Sequence, residues 1–152
     1  MRLGTDLAVV PNLVAYDAAQ VDLVRRARVI PRRSKDDFPQ VWDLDTIDGR
    51  RNLAQSLILR LLTPRGSLAA LGHAQYGSRL HELIGRNKTN ALRNLCRAFV
   101  LEVVAQEPRV EDKAVGLQFD PLAETQESFV FTVSVQPKDG GEALDVSLEV
   151  AL

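Results

Sequence analysis

The feature of the sequence that most restricts its fold is an alternation of apolar and polar residues in its last quarter. Apolar residues occupy every second position in two runs: Phe129, Phe131, Val133 and Val135, then Leu144, Val146, Leu148 and Val150. Because successive side chains of a β-strand point to opposite faces of a sheet, this period predicts two strands that each bury one face. The intervening Pro137-Lys138-Asp139-Gly140-Gly141 predicts that they form a hairpin. Val115, Leu117 and Phe119 predict a third strand.

Two helices are predicted ahead of these strands. The first is expected to start at Asp48, a residue type that caps helices well, and its apolar stripe repeats every four residues through Leu53, Leu57 and Leu61. The second is expected from Asn90 to about Ala105, and it is apolar nearly all round in its second half. We therefore expect an α+β fold, with two main helices packed on one face of a small antiparallel sheet of about three strands.

Residues 1–45 show no comparable pattern. We expect an irregular N-terminal arm over residues 1–45 and a core domain over residues 46–152. Within the arm, the sequence favours a short helix over residues 18–29 and a solvated loop over residues 31–37. Phe38, Val41 and Trp42 are expected to dock on the core.

The composition argues against several classes of protein. The formal net charge is −1, so no nucleic-acid partner is expected, and the arginine cluster of residues 25–33 is offset by nearby aspartates. The single Cys96 cannot form an internal disulfide, and its place on an apolar helix face favours a small core residue. No apolar stretch reaches the roughly 18 residues that span a bilayer, and no secretory signal is recognisable. We expect assembly in the cytoplasm and no membrane partner.

No arrangement of residues indicates a catalytic, cofactor or metal site. His73 and His81 lack metal-ligand spacing with each other or with Cys96. A glycosidase would need two carboxylates across a cleft, and no pair stands out among Glu82, Glu102, Glu107 and Glu111. We therefore expect a protein that is not an enzyme, with no catalytic residue, no cofactor and no metal. Arg93 and Arg97, one helical turn apart, are expected to be solvated, with binding of a partner carboxylate as the alternative.

Three short motifs lie between and after the predicted helices. They are Leu61-Leu62-Thr63-Pro64-Arg65-Gly66-Ser67-Leu68, Tyr76-Gly77-Ser78-Arg79-Leu80 and Glu107-Pro108-Arg109-Val110. The first predicts a turn with proline second and glycine fourth. In the second, Ser78 is a candidate N-cap for a short helix that ends at Gly85.

In their order and spacing these motifs resemble the baseplate wedge family of contractile phage tails. That family includes the sheath-initiating wedge protein of myophages, the TssE protein of type VI secretion, and relatives in extracellular contractile injection particles. The resemblance spans about residues 46–152. Residues 1–45 match no motif, so the binding role of the arm is left open.

The resemblance implies a structural baseplate subunit that docks on other wedge proteins and nucleates sheath assembly by strand addition. Glu107, Pro108 and Arg109 are then expected at the contact with wedge partners. The last strand is expected to offer its edge to a sheath protein through Leu144, Val146, Leu148 and Val150. The alternative is that the arm of residues 1–45 covers this edge. Such a subunit needs no cofactor, is repeated by ring symmetry, and belongs to a phage virion or a contractile injection particle.

Two alternatives stay open. One is a lysozyme-like, cell-wall-degrading glycosidase of a tail baseplate, since an old lysozyme label attaches to part of the family. The other is a generic adaptor module. For Glu107 and Arg109, the alternative to a partner contact is an exposed ion pair at the helix end, contributing less than about 1 kcal/mol. The motifs favour a phage or a free particle over the TssE branch, and they leave the copy number open.

Overall fold

The computed structural model of the chain describes residues 3–9, 25–29 and 40–152. Four short strands come first: β1 (Thr5–Leu7), β2 (Arg25–Val29), β3 (Gln40–Leu44) and β4 (Thr46–Asp48). Helix α1 (Gly49–Leu62), two 3-10 turns (Ala69–Leu71 and Leu80–Leu83) and helix α2 (Asn90–Ala105) follow. The remaining strands are β5 (Val110–Phe119), β6 (Ser128–Pro137) and β7 (Leu144–Ala151). The expected α+β class with two main helices is confirmed.

The main sheet has three antiparallel strands in the order β5, β6, β7, as the alternation predicts. Phe131 lies opposite Leu148 and Val133 opposite Val146, so the two apolar sets share one face of the sheet. Thr132 and its partner Ser147 share the other face. Helix α1 packs against β7 and helix α2 against β5. The helices thus cover the apolar face of the sheet. The strand order makes β5 and β7 the two edges of the sheet.

The core lies between the helices and the sheet, and it is mainly aliphatic with three buried phenylalanines: Phe99, Phe129 and Phe131. Cys96 is fully buried there, as expected, and burial raises the pKa of its thiol to about 12. Helix α2 begins at Asn90 as predicted, and the Thr89 hydroxyl accepts the Leu92 N–H at 3.1 Å. Helix α1 begins directly after Asp48, although the Asp48 side chain makes no capping bond.

Most of the described residues among the first 45 lie in short strands, in contrast to the irregular arm that we expect from the sequence. Strand β1 pairs with β4, and β2 pairs with β3, both antiparallel. The predicted helix over residues 18–29 is wrong for Arg25–Val29, because pairing with Gln40–Leu44 overrides a weak local helical spacing. Residues 18–24 and 31–37, and the side chains of Phe38, Val41 and Trp42, lie outside what is described. The division into arm and core domain stays a prediction.

A helix that crosses a membrane must be both long and apolar. Within the described ranges, no helix combines the length and apolar character needed to cross a membrane.

Candidate functional site

Two of the three sequence motifs meet in space just beyond the end of α1. The Ser78 N–H donates to Thr63 O at 2.8 Å, and the Arg65 N–H donates to Ser78 O at 2.8 Å. These bonds form a parallel bridge between Pro64 and Ser78. The Ser78 hydroxyl also donates to Leu61 O, which is left without a helical partner at the end of α1. Residues 63–67 and 76–80 therefore form one unit, which we call the double turn.

Gly77 is buried at the closest approach within the double turn. Its φ is +105°, and a Cβ at this position would lie 2.4 Å from Thr63 O and 3.0 Å from Arg65 N. A side chain at residue 77 would overlap backbone atoms, which cannot move aside as a flexible side chain can. The glycine of the Tyr-Gly-Ser motif is therefore required by the fold.

In both motifs, the predicted position of a residue within its turn differs from the observed position by one residue. The turn hydrogen bond runs from the Ser67 N–H to Pro64 O at 3.1 Å, which puts proline first and Gly66 third. Gly66 has φ +87°, the positive value that the third position of a type II turn requires. Ser78 does not directly precede the 3-10 turn Leu80–Leu83, although its hydroxyl accepts the Leu80 N–H at 3.3 Å as a cap would. Gly85 follows that turn with φ +78°, as expected of a terminating glycine.

The third motif lies at the junction of α2 and β5, where the Glu107 carboxylate is almost fully buried. Arg109 Nε donates to Glu107 Oε1 at 2.6 Å, and Arg109 Nη2 donates to Oε2 at 3.1 Å. From α1, the Ser56 hydroxyl lies 3.4 Å and Arg60 Nη2 lies 3.8 Å from Oε2. Burial alone would raise the pKa of Glu107, but the hydrogen bonds and charge of Arg109, with the charge of Arg60, outweigh burial and lower the pKa.

The ion pair at the helix end, which was the alternative to a partner contact, is present within the chain, but it is not exposed. The side chains of Glu107 and Arg109 are 2% and 17% exposed. Pro108 is exposed between them. The Glu107 carboxylate binds side chains of its own chain, whereas Pro108 is exposed and Arg109 is partly exposed to solvent. The role of these three residues in a partner contact stays a prediction.

The charged junction also holds the N-terminal residues against α1. Arg109 Nη1 donates to Leu3 O at 2.9 Å, and Asn52 Nδ2 donates to the same oxygen at 3.1 Å. One turn further along α1, the Gln55 amide donates to Leu7 O and accepts the Val9 N–H, both at 2.8 Å. The sequence reasoning missed these contacts. The available signal was a pair of amides three residues apart on the apolar side of a leucine-rich helix.

Arg93 forms a second, partly buried ion pair, in contrast to the solvated side chain that we expect from the sequence. Its two Nη atoms donate to the Glu124 carboxylate at 2.7 Å each, and Lys88 Nζ lies 2.8 Å from Oε2. The Glu124 side chain is 3% exposed, and the hydrogen bonds from Arg93 and then Lys88 lower its pKa to about 2. The carboxylate that Arg93 binds belongs to the β5–β6 loop of this chain. Arg97 is exposed and donates to Leu117 O at 3.1 Å.

Strand β7 presents a row of outward-directed peptide groups. The Leu152 N–H donates to Glu127 O at 2.8 Å. Bonded and non-bonded pairs alternate in an antiparallel ladder, so the even-numbered residues of β7 direct their N–H and C=O groups towards β6. The same groups of Asp145, Ser147, Glu149 and Ala151 point away from the sheet. In the described part of the chain, no hydrogen bond reaches them from another segment.

The side chains predicted for the sheath contact lie on the inner face of this strand. Val146 and Leu148 are each 4% exposed and belong to the core, and Leu144 and Val150 are half-buried against it. A partner at this edge would therefore bond to the odd-numbered peptide groups, while the even-numbered side chains keep the strand in place. The interface role of the four residues stays a prediction.

A pocket of about 180 Å³ opens beside the end of the β7 edge. Residues 149–151 form one side of it. The opposite side, mostly apolar, comes from α1, the double turn and the second 3-10 turn: Leu61, Leu62, Pro64, Ser78, Leu80 and His81. The motifs of the double turn thus shape the space next to the free strand edge.

Three of the four carboxylates considered for catalysis are held in ion pairs, and the fourth, Glu111, is exposed on β5. Glu82 accepts two hydrogen bonds from Arg79, at 2.7 and 2.8 Å, which lower its pKa. Glu102 pairs with Arg65, and Glu107 with Arg109. Within the described ranges, no three His, Cys, Asp or Glu side chains are grouped so as to hold a metal ion.

Comparison with known proteins adds a likeness in fold. No protein-family model matches the chain, and no curated protein matches its sequence. The fold is similar to that of a crystal structure from Geobacter sulfurreducens, of a protein provisionally named a tail lysozyme. The TM-score is 0.56 and the sequence identity is 16%, over 66% of this chain and 88% of that chain. At this identity the likeness establishes a shared fold.

Proposed function

We propose that this chain is a structural baseplate subunit of a contractile tail or injection machine, which docks on other wedge proteins and starts sheath assembly by strand addition. The edge of β7, which receives no hydrogen bond from another segment of the described residues, carries the proposal. Four alternate residues along it offer both their N–H and C=O groups to an extended segment. Strand addition uses such groups for affinity and alternate side chains for register.

The tail context rests on two observations of different kinds. The ordered motifs of residues 61–110 resemble the baseplate wedge family, and the fold is similar to that of a protein named a tail lysozyme. In such a setting the chain would be a component of a virion or injection particle, repeated by ring symmetry. It would act without a cofactor.

The lack of edge-blocking features within residues 144–151 also supports strand addition. Soluble proteins usually block an edge strand with a proline, a bulge or an inward-pointing charge. Residues 144–151 contain no proline, pair with β6 in an unbroken register, and direct Asp145 and Glu149 to the outer face. An edge of this kind is prone to unwanted pairing unless a partner occupies it.

The wedge contact is proposed at the α2–β5 junction. Pro108 is exposed there, and an open concavity lined in part by Arg60, Tyr76 and Gln106 reaches this junction at Gln106, the residue that follows α2. The buried Glu107 holds Arg60 and Arg109 in position. We propose that its contribution is to orient these arginines for wedge partners, and that direct contact falls to Pro108 and Arg109.

Replacing Ser147 with proline is expected to stop sheath assembly while leaving the sheet in place. The Ser147 N–H points away from β6, so proline removes one outward donor and breaks no bond of the ladder. Ser147→Ala keeps the N–H and is the matched control. Baseplates built with each variant would be mixed with the sheath subunit of the same machine and scored for sheathed tubes by electron microscopy.

We expect normal sheaths with Ser147→Ala and few or none with Ser147→Pro, when both variants have the circular dichroism spectrum of the unmodified chain. Normal sheaths on Ser147→Pro baseplates would rule out strand addition at this edge.

The name of the Geobacter protein favours a lysozyme as the second candidate. A glycosidase needs a carboxyl group that stays protonated near neutral pH to act as the acid. Glu82 and Glu107 have lowered pKa values because each accepts hydrogen bonds from an arginine, which is the opposite condition. We therefore propose a non-enzymatic role.

Purified protein is expected to release no soluble fragments from peptidoglycan over hours, with hen egg-white lysozyme as the positive control. Turnover that disappears in Glu82→Gln or Glu107→Gln would establish the enzymatic candidate instead.

A further inference from the structure

The outer face of β7 carries two carboxylates that have no cationic partner within the described residues. Asp145 and Glu149 are both exposed, four residues apart on the same face of the strand. Asp145 accepts a hydrogen bond from the Ser134 hydroxyl, but neither residue forms an ion pair there. The residues opposite Asp145 and Glu149 on strand β6 are Ser134 and Val130, which are uncharged.

The inner face next to the same edge is incomplete. Val150 is half-buried, and beyond it lies the pocket of about 180 Å³ bounded by Leu61, Leu80 and the double turn. On a strand added to β7, the residue opposite Val150 would place its side chain on the same face as Val150. That side chain would enter the pocket and extend the core by one position.

The size of the pocket limits what can enter. An apolar cavity of about 150 Å³ holds a benzene-sized group. A pocket of about 180 Å³ therefore fits one leucine-sized side chain.

We propose that β7 selects a strand of alternating basic and apolar residues, with Lys or Arg opposite Asp145 and Glu149 and a leucine-sized residue opposite Val150. This inference rests on the proposed function, because it names the chemistry of the segment that β7 would accept. Opposite charges across a strand pair attract, and like charges repel, so the two carboxylates set the charge of the guest. The pocket sets its register, since a shift by one residue would turn the leucine to the polar face.

The probe is an acetylated and amidated peptide, Thr-Leu-Lys-Val-Thr-Val-Lys, which runs antiparallel to residues 145–151. One control peptide has Glu in place of both Lys, and another has Ala in place of Leu. Binding to the full chain is followed by NMR through the amide signals of residues 145–151, which also report new hydrogen bonds at the edge. The protein variant Asp145→Lys/Glu149→Lys serves as the reciprocal test, since both residues are exposed.

We expect the Lys peptide to bind at least about tenfold more tightly than either control peptide, with slower exchange of the Ser147 and Glu149 amides. The Asp145→Lys/Glu149→Lys variant should reverse the preference and favour the Glu peptide. Equal affinity for the Lys and Glu peptides, equal affinity for the Leu and Ala peptides, or binding of no peptide at this edge would each overturn the inference.

These outcomes are separable from failure of the proposed function. If the peptide preference fails while Ser147→Pro still blocks sheath formation, strand addition stands and the proposed guest chemistry is wrong. If Ser147→Pro baseplates form normal sheaths, the proposed function fails whatever the peptides do.

Discussion

Gly77→Ala is expected to lower the free energy of unfolding by about 3 kcal/mol or more. The added Cβ would lie 2.4 Å from Thr63 O, at a backbone φ of +105° that a residue with a side chain rarely adopts. Relieving this overlap requires the Pro64–Ser78 bridge to open, and the double turn would separate from the end of α1. Urea unfolding at pH 7, followed by circular dichroism, measures the change.

Gly72→Ala is the matched control for this substitution. Gly72 also has a positive φ of +83°, but a Cβ there would meet no atom within 4 Å. The control is expected to lose about 1 kcal/mol, from backbone strain alone. A similar loss in both variants would mean that the close approach at residue 77 is relieved at little cost.

Glu107→Ala is expected to lower the free energy of unfolding by about 3 kcal/mol, the low end for breaking a buried ion pair from one side. The change leaves Arg60 and Arg109 facing each other without a carboxylate, and their side chains are 16% and 17% exposed. This partial access to water keeps the loss from being larger. Because Arg109 also holds Leu3 O, amide exchange in residues 3–9 should become faster.

Glu111→Ala tests whether losing any glutamate near the junction has this effect. Glu111 is exposed on β5, so its loss should change stability by less than about 0.5 kcal/mol.

Since the folded-state pKa of Glu107 lies below its ordinary value of 4.5, the stabilisation that Glu107 contributes is present above that pH and is lost as the pH falls below it. The difference between Glu107→Ala and the unmodified chain should therefore shrink in acid. A loss of less than about 1 kcal/mol at pH 7 would show that the pair behaves as a solvent-screened surface pair.

The pairing of charges shows where sequence reasoning loses information. Arg93 and Glu124 are separated by 31 residues, and Glu107 meets Arg60 across a still larger gap. Nothing in the spacing of such residues indicates that they meet, because their separation depends on how α1, α2 and the sheet pack. The same holds for Asn52 and Gln55, whose amides look like ordinary helix residues until the N-terminal strand lies against them.

Local residue preferences were also insufficient to predict secondary structure where pairing with a distant segment competes with them. Residues 25–29 have a weak helical spacing, and their partner strand is 11 or more residues away, so the choice between helix and strand is made by a contact that a local window does not contain. In the double turn, the motifs predict a reversal correctly. The positions of Gly66 and Ser78 within it depend on the bond between Arg65 and Ser78, which joins two separate segments.

Hydrophobic periodicity was enough to predict the two main helices, the three-stranded sheet and the face of each that is buried, because it is a local property that every packing of these elements must satisfy. The sequence also determined that β7 alternates, and hence that Val146 and Leu148 face inward. Only the packed structure shows that no hydrogen bond from another described segment reaches the outward peptide groups of β7, that a pocket lies beside them, and that Glu107 is buried. Those properties depend on strand order and on contacts between residues distant in the chain, which periodicity does not encode.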